Sequence, residues 1–182
     1  MASDLKAELR KKVWKLMDKY RVALGPRPCY GRIPPFLGSS VAARRISKKD
    51  FFRNAEVIYS TPDISQRHVR VEALRMGKTL VMATPYFRRG LIVVDGRDVP
   101  RGKVTYAATM RGALVYGSRV DVTTDIKIDI FLTGSVAVDE AGGRLGRGDG
   151  MQDLEYAILR ELRLATDDTI TVTTVHDTQI VE

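Results

Sequence analysis

A chain of 182 residues is long enough for one domain with a substantial core, and its 44% hydrophobic and 29% charged content is globular, not disordered. No apolar run approaches the ~20 residues that cross a bilayer, the charged start MASDLKAELRKK lacks the apolar core of a secretory signal, and no Cys/His cluster has structural-zinc spacing. The lone Cys29 forms no internal disulfide, which points to a reducing cytoplasm, and a net charge of +8 suits either an anionic partner or a generally basic surface.

Leu5, Leu9, Val13, Leu16 and Tyr20 recur at steps of four and three and predict a first helix, with Ser3 as its cap. Lys6 and Arg10 lie four apart on one side of it, as a solvated face or as a pair of cations for a ligand. Gly25-Pro26 ends the helix, and PRPCYGRIPPFLGSS, with four prolines, follows as an irregular segment. Short helices are expected over 39–46 and 48–54, and a strand over 56–59. Residues 65–76 read as a helix with Val69, Ala73 and Met76 on one face, closed by Gly77. The apolar run at 78–83 then reads as a buried strand, giving one parallel strand–helix–strand crossover.

TPYFRRG comes next, where ligands collect at the ends of parallel strands, so Tyr86, Phe87, Arg88 and Arg89 form either a basic turn or an anion-holding one. A strand over 91–94, a helix over 102–110 and a strand over 113–116 follow. The strand at 128–133 continues through 134–138, a helix at 151–164 buries Leu154, Ala157, Ile158 and Leu162, and 170–175 is the last strand. This alternation predicts an α/β fold: a single three-layer domain over 1–182, Rossmann-like, with a mostly parallel sheet covered by helices.

The stretch RLGRGDGMQDLE at 144–155 concentrates the chemistry. Gly146, Gly148 and Gly150 alternate into a predicted helix start, where backbone N–H groups and the helix dipole suit phosphate. Arg144 and Arg147 add positive charge, and Asp153 is placed for a metal ion. The spacing is neither GxGxxG nor GxxxxGK[ST], so a structural turn explains it equally well. His68 reads as a solvated helix residue, the pair His176-Asp177 as structural since no serine or cysteine nucleophile accompanies it in a motif, and Cys29 as unreactive.

Taken with Lys6-x-x-Leu9-Arg10, the block IDIFLTGSVAVDEAGGRLGRGDGMQDLEYA resembles the 5-formyltetrahydrofolate cyclo-ligase family, also called methenyltetrahydrofolate synthetase. PRPCYGRIPPFLGSS, DLEYA and TTVHDTQIV resemble its methenyltetrahydrofolate synthetase domain-containing branch, and the likeness covers nearly the whole chain. The resemblance implies an ATP- and magnesium-dependent enzyme that phosphorylates the formyl oxygen of 5-formyltetrahydrofolate and closes the ring to 5,10-methenyltetrahydrofolate. It assigns Lys6, Arg10, Arg144, Leu145, Gly146, Arg147, Gly148, Asp149, Gly150, Met151 and Gln152 to the nucleotide, Lys6 and Arg147 to catalysis, and Asp153 to magnesium. Met151 and Gln152 replace the two tyrosines of typical members and Leu154 replaces an arginine, so the departures fall on the folate side. Asp63 is the acid near the position of the family's folate-contacting glutamate, and typical members continue past the position of Glu182 with a closing segment that supplies another magnesium ligand. Non-catalytic nucleotide or RNA binding on the same fold, and a ligase for another pterin, are the alternatives; few clustered aromatics and no RNP-like motif count against RNA.

Overall fold

A computed structural model describes residues 2–84, 87–88, 90–120 and 126–182. Helix α1 (Ala2–Lys19) opens the chain. It starts at Ala2, so Ser3 lies inside the first turn and is not its cap. Its buried residues are Val13, Trp14 and Met17, whereas Leu5 and Tyr20 are exposed. The expected stripe is thus rotated toward the larger Trp14 and Met17 side chains, which remove more apolar surface from water. The helix also stops before Gly25-Pro26, because Arg21 turns to a positive φ of 55° and Val22 N–H bonds Met17 O at 3.0 Å.

The proline-rich segment after α1 folds back on it. Trp14 Nε1–H donates to Arg32 O at 2.9 Å, Cys29 N–H donates to Asp18 Oδ2 at 3.0 Å, and Leu24 N–H donates to Pro35 O at 2.7 Å. Helices α2 (Ser39–Ile46) and α3 (Asp50–Asn54) lead into strand β1 (Val57–Ser60). A 3-10 turn at Ile64–Gln66 precedes α4 (Arg67–Arg75), and β2 (Thr79–Ala83) completes the expected parallel crossover. Strand β3 (Leu91–Asp95) returns antiparallel to β2, and Thr84 N–H bonds Gly90 O at 3.1 Å across the gap between them. Pro85, Tyr86 and Arg89 of TPYFRRG lie outside the described residues.

A 3-10 turn at Arg101–Lys103 and α5 (Val104–Ala107) occupy most of the expected 102–110 helix. Residues 113–116, expected as a strand, instead belong to α6 (Met110–Tyr116). Thr109 caps α6 by accepting from Gly112 N–H, and a Cβ on Gly112 would meet Tyr106 O at 1.9 Å; this close helix-to-helix turn overrides a short apolar run that has no period of its own. Strands β4 (Ser118–Val120) and β5 (Ile130–Leu132) follow, and β8 (Ile170–Val172) is shorter than its expected span.

Among the described residues the main sheet has the order β4-β3-β2-β1-β5-β8, with β3 reversed and the others running one way. Ile58, Ile130 and Leu132 face α2 and α4, while Tyr59, Phe131 and Val81 face the opposite layer, which holds α7 (Met151–Glu161). The helix-covered, mostly parallel α/β sheet is therefore observed. A second, three-stranded sheet, unexpected from the sequence, pairs β6 (Ala137–Asp139) with β7 (Arg144–Leu145) and with β9 (Ile180–Val181). It packs with α1 around Val13, Met17, Val136 and Ala137. No helix among the described residues is long and apolar enough to cross a membrane.

Candidate active site

The chain extends the sheet leftward from β1 through β2, β3 and β4, then jumps to the right of β1 to lay β5 and β8. The order reverses between β1 and β5, and a crevice opens beyond the carboxyl ends of strands at such a point. Here the two strand ends lead to Thr61–Asp63 and Gly134–Ser135. They meet so closely that a Cβ on Gly134 would lie 2.8 Å from the Asp63 carboxyl. A cleft of ≈ 510 Å³ sits above them, walled by the loop at Cys29–Pro35, by Asp63 and by Gln152 and Glu155 of α7.

Helix α7 presents polar side chains to this cleft because of its rotation. Gln152, Glu155 and Leu159 are its buried residues, whereas Leu154 is 52% exposed. The expected inward face of Leu154 and Ala157 is thereby corrected: Ala157 is exposed, and Ile158 and Leu162 are only half-buried. Tyr59, stacked on Phe131 with ring centroids 5.3 Å apart, donates its hydroxyl to Glu155 Oε2 at 2.9 Å. Burial pushes the Glu155 carboxyl up to about 7; the Tyr59 bond opposes this and the nearby Asp63 and Asp149 charges add to it. The same burial, together with Glu155, pushes the Tyr59 phenol up.

Beneath the cleft floor lies Arg70, a buried cation with carbonyl partners. It donates to Ala108 O at 2.8 Å and to Thr61 O and Asp63 O at 2.9 Å each, with Ser60 Oγ at 3.3 Å. Burial pushes it down to about 10, against the pull of Asp63. These bonds fix the backbone on which the Asp63 carboxylate stands. That carboxylate accepts from Thr61 Oγ1–H at 2.5 Å and from Gln152 Nε2–H at 2.7 Å.

The glycine stretch forms the wall between this cleft and a smaller one of ≈ 310 Å³. The smaller cleft is lined by Lys6, Leu9, Gly143, Arg144 and Leu145. Arg10, one turn after Lys6, donates Nε–H to Gly146 O at 2.7 Å and pins the loop to α1. Gly148 has φ 108° and lies against the same guanidinium, where a Cβ would be 3.4 Å from Arg10 Cζ. Gly150, with φ 70°, is the N-cap of α7 and has no side chain to cap it, so apart from Met151 N–H the first-turn N–H groups are left to other acceptors. Leu145 O accepts from Val136 N–H at 2.7 Å, a structural contact of the small sheet. Met151 lines the larger cleft, and its N–H reaches Asp149 Oδ1 at 3.3 Å.

Arg144 Nη1–H donates to Gln152 Oε1 at 2.7 Å and Nη2–H to Asp153 Oδ1 at 2.7 Å. Arg147 Nε–H donates to Asp149 Oδ2 at 2.5 Å. Lys6 and Arg147 line different clefts, so the structure does not gather the two expected catalytic cations in one. Tyr59, Arg70 and Glu155 were not anticipated. For Glu155 the signal was present as a second stripe, Gln152–Glu155–Leu159, whose polar members read as solvent-facing. His176, by contrast, caps the 3-10 turn Asp177–Gln179, the structural role expected of it.

A family model described as the 5-formyltetrahydrofolate cyclo-ligase family matches residues 2–182. The chain is 35% identical over 179 residues to a methenyltetrahydrofolate synthase domain-containing protein of Bos taurus, and 34% and 31% identical to proteins of the same name in Homo sapiens and Danio rerio. Those alignments cover 97% of this chain for the Bos taurus and Homo sapiens proteins and 98% for that of Danio rerio, but 47% of each relative, so the chain spans about half the length of these curated relatives.

Proposed function

Because the chain belongs to the 5-formyltetrahydrofolate cyclo-ligase family, we propose that it converts 5-formyltetrahydrofolate to 5,10-methenyltetrahydrofolate with ATP and magnesium. The observation that carries this reading is the pinning of the glycine loop to α1 through Arg10 and Gly146, which sets cations and the start of α7 beside a cleft at the switch point of the sheet. The residues fit the groups. No three acids, histidines or cysteines among the described residues cluster as a metal cage, and Asp153 stands at the loop with a side chain 79% exposed. One carboxylate completed by phosphate oxygens and water is the ordinary environment of nucleotide-bound magnesium. ATP supplies the phosphoryl group that turns the formyl oxygen into a leaving group.

In this reading Lys6, Arg10, Arg144 and Arg147 neutralise phosphate charge, and the N–H groups of Gly150 and Gln152 orient it. The Asp63 carboxylate accepts N–H donors from the aminopyrimidinone edge of the pterin. Glu155, which titrates near neutrality beside Tyr59, takes the proton that the attacking nitrogen loses as the ring closes. The proline-rich loop at 26–35 covers the apolar part of the substrate and limits water.

The test is direct. Protein, magnesium, ATP and 5-formyltetrahydrofolate should give the methenyl absorbance with one ADP per product, and Asp153→Ala should lose magnesium-dependent nucleotide binding. Absence of both product and ADP would overturn the reading. ADP release with a different reduced pterin alone would keep the nucleotide chemistry and reassign the substrate.

A further inference from the structure

One chain of side chains runs without a break from the floor of the larger cleft to the carboxylate proposed for magnesium. Asp63 Oδ2 accepts from Gln152 Nε2–H at 2.7 Å, Gln152 Oε1 accepts from Arg144 Nη1–H at 2.7 Å, and Arg144 Nη2–H reaches Asp153 Oδ1 at 2.7 Å. Its centre is shielded and its outer end is wet: Gln152 is 9% exposed and the Arg144 side chain 17%. The amide has one workable orientation. Flipped, it would turn its oxygen onto the Asp63 carboxylate and its N–H groups onto the Arg144 guanidinium, two repulsive contacts. The fit is also tight, since a Cβ on Gly146 would come within 2.8 Å of Gln152 Oε1.

We propose that Gln152 is a positioning residue that couples the substrate cleft to the nucleotide loop. A cleft ligand that donates N–H to Asp63 competes for the oxygen that Gln152 now holds. Release of Gln152 takes from Arg144 Nη1–H the shorter of its two acceptors, leaving Gly134 O at 3.1 Å, and so loosens the ion pair that occupies one oxygen of Asp153. Asp153 and Arg144 then become available to magnesium and phosphate. By linkage the effect is reciprocal: nucleotide that draws Arg144 away loosens Gln152 and opens Asp63 to the cleft ligand. A tyrosine at this position, as in typical family members, could donate one hydroxyl proton but could not join a carboxylate to a guanidinium in the same way.

The inference rests on the functional reading above, and the experiment separates the two. Calorimetry gives the affinity for magnesium with a non-hydrolysable ATP analogue, alone and with saturating 5-formyltetrahydrofolate. Binding of each probe to the wild type tests the functional reading; the ratio of the two nucleotide affinities tests the coupling. The wild-type ratio should be about fivefold or more in favour of the doubly occupied protein. In Gln152→Leu it should fall to about one, whatever happens to either affinity alone. Arg144→Lys, which keeps the charge but loses the fork that holds both neighbours, should do the same, and it carries the test if Gln152→Leu does not fold. A wild-type ratio of one, or a ratio that survives both substitutions, overturns the coupling. Failure of either probe to bind the wild type overturns the functional reading, and the coupling with it.

Discussion

At Glu155 a carboxyl group gives up most of its contact with water and gains one phenol in return. Its pKa, raised to about 7 chiefly by burial, fixes the sign of a stability effect. Between the ordinary value of 4.5 and about 7 the folded chain keeps a proton that the unfolded chain has shed, so stability falls as pH rises through that window. Glu155→Gln keeps an acceptor for Tyr59 and cannot ionise. Its stability should therefore match the wild type near pH 4 and exceed it by up to about 3 kcal/mol at pH 8, read from urea unfolding. A difference that stays flat with pH would show that Glu155 is not buried as described. At this scale the sequence announced Asp153 and Arg144 through their place beside the glycines. It was silent on Glu155 and Arg70, because charged residue types default to the solvent side of a helix and only the packed structure reveals the rotation that buries them.

The elements explain why that rotation was hidden. The apolar residues of α7 satisfy two overlapping stripes, and the one actually buried includes Gln152 and Glu155, whose polar groups have partners in Tyr59, Asp63 and Arg144. Burial of a polar group is tolerated when its bonds are made, and no hydropathy pattern encodes distant partners. The same limit explains α6, where Thr109 and Gly112 decide for helix through contacts with Tyr106. The glycine loop was legible as an element, and its demand on Gly148 can be tested. With φ 108° and Arg10 close by, Gly148→Ala should cost about 1–2 kcal/mol of stability and weaken nucleotide binding, while an alanine at the open Gly102 should do neither. Equal effects at both positions would remove the special role of the loop's backbone.

Across the whole molecule, the alternation of strands and helices made the main sheet and its first crossover readable, while the small sheet went unseen because its strands are only two or three residues long. The anion-holding alternative for TPYFRRG looked to the end of β2, whereas the order reverses between β1 and β5, and strand order is not written in local pattern. The two sheets should differ in cooperativity. In native-state hydrogen exchange, amides of β1, β2 and β5 should open only with global unfolding, and those of β6, β7 and β9 at a lower free energy; identical values for both sets would make the protein one unit. The bond from Arg10 to Gly146 adds a dimension of time, for it joins residues 136 apart in the chain. On a translating ribosome α1 emerges long before Val136, Ala137 and Val181 exist to cover Val13 and Met17. The proline-rich segment can cover part of that apolar side early, through Cys29, Ile33 and Phe36, but the part that faces Val136, Ala137 and Val181 stays exposed until those residues have been made, so the anchorage of the glycine loop to α1 is among the last contacts to form.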